Sequence, residues 1–106
     1  MAGVTIDQTS NVWEITYNAG GSLPATLWDN GGSPLIPKRI KVTFTTATAG
    51  DKVEFTDGTG EICFRELATG ANADPPEQRP NGHEAWIGPV TVTTFAPTVA
   101  NVLIYI

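Results

Sequence analysis

Between residues 38 and 67 apolar and polar side chains alternate with a period of two. Ile40, Val42 and Phe44 alternate with Lys41, Thr43 and Thr45, and Val53 and Phe55 with Lys52, Glu54 and Thr56. This is the pattern of strands with one face buried and one face in water. Ala49-Gly50-Asp51 separates the two runs. Asp57-Gly58-Thr59-Gly60 follows, with two glycines available for positive φ. A third run places Ile62 and Phe64 inward, beside polar Glu61, Arg65 and Glu66. The pattern predicts a three-stranded meander with one apolar face, and the rest of the chain must cover that face.

The flanking segments read as the cover. Met1 to Ser10 is polar and rich in small residues, an N-terminal arm or a weak first strand. Val12 to Tyr17 puts Trp13, Ile15 and Tyr17 on one face, and Asn18 to Ser22 breaks it. Ala25 to Trp28 is a short extended piece before the turn signal Asn30-Gly31. Pro34 and Pro37 bracket Leu35-Ile36 and suit an edge position or a strand start. Residues 68 to 82 (ATGANADPPEQRPNG) hold no apolar side chain larger than Ala and read as a long Pro-rich loop. Extended structure resumes around Trp86. Val90 and Val92 then point inward and Thr91 and Thr93 outward, before a slip of phase at Thr94-Phe95 that suits a bulge. Val102 to Ile106 is apolar without a break, which predicts burial on both faces, within the domain or against another subunit.

With 11 Gly, eight Pro and many Thr, no window favours a helix. Short strands with turn signals about every ten residues predict an all-β fold. The expectation is a small single-domain antiparallel β-sandwich, jelly-roll-like, of six to eight strands over residues 1 to 106.

Charge narrows the choice of partners. The formal net charge is −5 and only 16% of residues are charged, so the cationic footprint that nucleic-acid binding needs is missing. Lys38, Arg39 and Lys41 form the one basic cluster; they suit protection of an edge strand or contact with an acidic partner. A lone Cys63 allows no intrachain disulfide. The N-terminal stretch has no secretion-signal character, and no apolar run reaches membrane-spanning length. The chain reads as a soluble protein made in a reducing cytoplasm, with no membrane partner.

The side chains spell out no reaction. His83 is the only histidine and has no spacing relation to Cys63, so neither a nucleophile–base pair nor a closed zinc site is indicated. Asp51, Asp57 and Glu61 flank turns without the alternation of a calcium loop, and turn chemistry accounts for Asp57. Gly58 and Gly60 lack the remainder of a phosphate-loop pattern. The expectation is no enzyme, no cofactor and no metal. Trp28 and Trp86 lie beside loops, where three readings stay open: core packing, a protein interface, or a sugar-stacking platform.

One resemblance gives these features a context. Thr48-Ala49-Gly50-Asp51, the Asp57-Gly58-Thr59-Gly60 turn, the Ala68-Thr69-Gly70-Ala71-Asn72 turn, and the closing segments Gly88 to Phe95 and Val102 to Ile106 follow in order. This order resembles that of small β-proteins encoded in the structural modules of tailed bacteriophages. The similarity runs over residues 38 to 106; the Pro-rich insert at Asp74 to Pro80 and the Gly-rich N-terminal third depart from it. It implies a virion protein, foremost a capsid decoration or cement protein on the outer surface of the major capsid protein shell. It further implies a homo-oligomer, with a trimer favoured, and release of the particle by lysis. A tail or head-fibre component contacting the host, or a carbohydrate-binding module, is the alternative. The candidate partner-contacting residues are Trp28, Arg39, Arg79, His83, Trp86 and Tyr105, drawn from the basic cluster, the loops and the C-terminal strand.

Overall fold

A computed structural model describes residues 3–8, 11–18, 22–28, 34–70 and 86–106. Ten strands form among them: β1 (Gly3–Asp7), β2 (Val12–Asn18), β3 (Ala25–Trp28), β4 (Pro34–Leu35), β5 (Arg39–Phe44), β6 (Lys52–Thr56), β7 (Ile62–Leu67), β8 (Trp86–Ile87), β9 (Val90–Phe95) and β10 (Val99–Tyr105). The fold is all-β and single-domain, as the alternation requires. The strand count exceeds the expected six to eight because the Leu35 and Trp86 neighbourhoods each make a two-residue strand and Gly3–Asp7 pairs fully with β2. The stretch read as an arm or a weak first strand is therefore a strand over those residues.

The strands make three antiparallel sheets, in the orders β1-β2-β10-β5, β3-β9-β6-β7 and β4-β8. Between β2 and β3, β5 and β6, and β9 and β10 the chain passes from one large sheet to the other. Inward side chains of both large sheets meet in one core. Ile15, Ile40, Val42, Val102 and Ile104 come from the first sheet, and Val53, Phe55, Val90 and Val92 from the second. Each buried aliphatic side chain of this kind contributes roughly 1.5–3 kcal/mol relative to exposure. The third sheet closes one part of this core: Leu35 and Trp86 sit opposite each other and both point inward.

Alternation foretells burial in β5, at Trp13 and Ile15 of β2 and at Val90 and Val92 of β9; it fails at Tyr17, which is exposed near the end of β2, and at three further places. In β7, Cys63 is an extra residue between the pairs Phe55–Phe64 and Thr56–Ile62. A bulge turns the residues on its two sides out of phase, so Phe64 is buried while Ile62 is 50% exposed, against the inward position expected for it. In β9 the extra residue is Thr93, one position before the expected slip, and Phe95 is turned into the core. β10 lies between β2 and β5. Within the apolar run Val102 to Ile106 only Val102 and Ile104 are buried; Leu103 and Tyr105 are half-buried on the opposite face, so the unbroken apolar run is not buried on both sides within the domain.

Candidate interaction surfaces

Pairing register assigns every side chain of the first sheet to a face. Directly opposed residues share a face, so Asp7, Glu14, Leu103 and Lys41 form one outward row across all four strands. Thr5 opposes Thr16 on β1 and β2, and Asn101 opposes Thr43 on β10 and β5, Asn101 standing next to the register shift at Ala100. Val12, Tyr105 and Arg39 form a second row. The guanidinium carbon of Arg39 stands 3.9 Å from the centre of the Tyr105 ring. That is a cation–π contact, of roughly 0.5–1 kcal/mol at a surface site. Two of the residues singled out in the sequence thus meet on one face, brought together by the β5–β10 pairing.

The outward face of the second sheet is different in kind. Thr26 opposes Thr91, Thr91 opposes Thr56, and Thr56 opposes Ile62. The Thr91 hydroxyl donates to the Thr56 carbonyl at 3.3 Å and the Thr93 hydroxyl to the Glu54 carbonyl at 3.2 Å. Next to these lies Glu54, only 7% exposed although it faces outward. Arg65 and Thr94 are its two cross-strand neighbours, and Lys52 precedes it by two. Arg65 Nε donates to Glu54 Oε2, the Thr94 hydroxyl donates to Oε1 at 3.4 Å, and Lys52 Nζ is 3.2 Å from Oε1. The Arg65 hydrogen bond holds the Glu54 carboxyl below the usual range against the opposing effect of burial. This carboxylate read as an ordinary polar strand residue. Only the register, invisible in sequence, reveals that two cations and a hydroxyl converge on it.

Asp51 and Asp57 of the turns are engaged by nearby hydroxyl and backbone N–H groups. Asp51 accepts from the Thr48 backbone N–H at 3.0 Å and from the Thr98 hydroxyl at 2.8 Å, which lower its pKa. For Asp57 burial acts upward, but the Thr59 hydroxyl and backbone N–H outweigh it and the net shift is downward. Of the two glycines in this turn, Gly60 uses a positive φ of 87°. Gly58 serves close approach instead: its N–H donates to the Ile87 carbonyl at 2.6 Å, and a Cβ there would collide with the Gly88 carbonyl. The β6–β7 turn is thereby docked on the segment that carries Trp86.

The tryptophans divide. Trp86 is 3% exposed and packs against Phe55 and Phe64, with ring centres at 5.9 and 6.2 Å. A side chain so placed belongs to the core, and this corrects the reading of Trp86 as a partner contact. Trp28 is half-buried and stacks on Trp13 of the other large sheet at 5.5 Å. The extra residue Leu27 between the pairs Thr26–Thr91 and Trp28–Val90 turns it that way. Arg79 and His83, with most of the Pro-rich loop, lie outside the described residues.

Among the described residues no group of three or more His, Cys, Asp or Glu side chains is placed to hold a metal ion, and no enclosed pocket is present. Burial, aided by the negative charge of Asp57, pushes the Cys63 thiol up to about 12. At neutral pH it is a protonated packing residue whose Sγ lies 3.6 Å from the Phe55 carbonyl oxygen. What the molecule offers a partner is broad sheet faces and sheet edges. Among the described residues the exposed large apolar side chains are Tyr17, Ile36, Ile62, Leu67 and Ile87. Comparison of the chain with models of protein families, with curated proteins and with solved structures found no match.

Proposed function

We propose that the protein is a capsid decoration protein of a tailed bacteriophage, bound to the outer surface of the major capsid protein shell, which it stabilises. The fold class that goes with this reading is a jelly-roll-like β-sandwich. Two features support it: the inner faces of the two large sheets share one core, and β10 sits between β2 and β5 while β9 sits between β3 and β6. Two such interleaved sets of antiparallel strands are the hallmark of that architecture.

The observation that carries the functional reading is the use made of the segments resembling phage structural proteins. Thr48 to Asp51 is a closed turn, with the Asp51 N–H bonded to the Thr48 carbonyl at 2.9 Å. Asp57 to Gly60 is a second closed turn, with the Gly60 N–H bonded to the Asp57 carbonyl at 3.0 Å. Asp57 is engaged within its turn, and Asp51 by its own turn and by Thr98. The chemistry-bearing residues of the resemblance therefore serve a scaffold, which leaves faces and edges to make contacts. Many modest contacts repeated over a lattice bind with high avidity and need no single deep site. The role is non-catalytic, the assembly a homotrimer, and the place of action the outside of the virion after synthesis in the host cytoplasm.

The carbohydrate-binding alternative draws no support from the tryptophans, since Trp86 is in the core and Trp28 is stacked on Trp13. The test adds purified protein to undecorated capsids. The proposal expects saturable binding and a higher temperature of capsid disruption. Absence of both overturns it.

A further inference from the structure

The outward row Asp7, Glu14, Leu103, Lys41 is polarised. Its acids lie on β1, one outer edge of the first sheet among the described residues, and on β2 beside it, and its cation on β5, the other outer edge. Arg39 adds a second cation to β5, and Lys38 immediately precedes that strand. Strand parity matters as well. Four strands, each antiparallel to the next, leave β1 and β5 running in opposite directions. If a copy is rotated about an axis along the strands, its β1 therefore meets β5 of the first copy in antiparallel sense.

From these observations we propose that copies of this chain associate head to tail, β5 of one copy pairing with β1 of the next and extending the first sheet. The occupant of each edge is a second copy of the same chain. Charge favours this arrangement over the symmetric ones. Pairing β5 with β5 brings the basic clusters of two copies, Lys38, Arg39 and Lys41, onto one seam, and pairing β1 with β1 brings two copies of Asp7 onto one seam. Like charges directly opposed on neighbouring strands are destabilising, whereas opposite charges attract. Continuing the row without stagger fixes the register. Lys41 faces Asp7 of the next copy, Val42 faces Ile6, Thr43 faces Thr5 and Phe44 faces Val4. In this register inward residues meet inward residues throughout: Val42 and Phe44 are buried, and Val4 and Ile6 pack against the core of their own copy. A shift by one residue would set outward against inward along the whole edge. A heterologous contact of this kind closes into a ring when the rotation between copies divides the circle evenly. The inference concerns copies alone and does not depend on a capsid, so its failure and that of the capsid reading are separate results.

The test uses two single-cysteine proteins, Thr5→Cys and Thr43→Cys, each carrying Cys63→Ser, oxidised separately and as a mixture. The expected result is covalent dimers in the mixture and none in either protein alone. A charge set makes the second reading by sedimentation. Lys41→Glu is expected to weaken association about tenfold, because it replaces an attractive cross-strand pair with a repulsive one. The double change Asp7→Lys with Lys41→Glu is expected to restore it, and salt to weaken the unaltered protein's association. Homotypic dimers at either cysteine overturn the proposal. So does a protein that stays monomeric at every concentration with no dimers in the mixture; the cations of β5 would then guard an edge and nothing more. Unchanged circular dichroism for each variant separates loss of association from loss of fold.

Discussion

The two large sheets use the same alphabet of side chains and differ in how regularly their strands pair. The β1–β2 and β2–β10 ladders of the first sheet run without interruption, and only β10–β5 shifts, at Ala100. All three ladders of the second sheet carry an extra residue, Leu27, Thr93 or Cys63. A regular ladder keeps one face apolar and presents ordered rows on the other, which is how Asp7, Glu14 and Lys41 come to be aligned. A broken ladder bends the strand and lets neighbouring residues turn the same way. The second sheet thus gathers Phe55, Phe64 and Trp86 into one cluster and sends Trp28 across to Trp13. The regular sheet supplies a patterned surface, and the irregular one the aromatic packing.

Mutations sharpen this contrast, and the largest effect belongs to the irregular sheet. Phe55→Ala is expected to cost about 3–5 kcal/mol in denaturant unfolding, as aromatic truncations in cores do. Ile62→Ala, one ladder position away but turned outward by the Cys63 bulge, is expected to change stability by no more than about 0.5 kcal/mol. Equal costs would mean that the bulge does not reverse the phase there. Trp28→Ala is expected to cost about 2 kcal/mol, less than a core aromatic because the ring is half-buried. Glycan-array binding that vanishes in this variant with an unchanged thermal midpoint would revive the sugar-binding alternative.

Gly58→Ala tests the docking of the β6–β7 turn against Gly88. Forcing a methyl group into that contact is expected to cost about 1–3 kcal/mol. Gly70→Ala, with open space around it and no positive φ, is expected to be neutral or mildly stabilising. Acid acts on the carboxylates. Glu54, Asp51 and Asp57 have native pKa values below their ordinary ones. The unfolded chain therefore binds protons first as the pH drops. The stability they contribute is complete above the unfolded values of about 4, and is lost as pH falls through the lower native values. Urea midpoints measured from pH 6 to pH 2 should decline on this side, and Glu54→Gln should flatten part of the decline. On the regular sheet, Arg39→Ala is expected to cost about 0.5–1 kcal/mol through loss of the Tyr105 contact.

Legibility in the sequence follows the same division. The strands β2, β5 and β9, most of their inward residues and the all-β class were readable, because alternation maps onto burial along each stretch of strand that lies clear of a bulge. Ile62 was misplaced because no local signal announces a bulge at Cys63. For Trp86 the sequence leaves core, interface and ligand open because the residue lies beside a loop; it is buried where β8 pairs with β4, fifty-one residues earlier at Leu35–Trp86, a contact that periodicity cannot show. The Glu54 cluster and the polarised row were hidden for a related reason. Each depends on which residues stand opposite on neighbouring strands, and register is set by turns and bulges that are distant in sequence. The Arg39–Tyr105 contact joins two residues named from their chemistry alone, yet nothing in their spacing placed one over the other.

The account holds that this chain works through faces and edges on the outside of a virion. Cryo-electron microscopy of the intact particle, beside the same particle lacking the protein, tests that most directly. The account predicts added density for this domain on the outer capsid surface, in symmetric clusters, with adjoining copies meeting through β5 and β1. Particles with identical capsid surfaces, or density for this chain inside the shell, would contradict it.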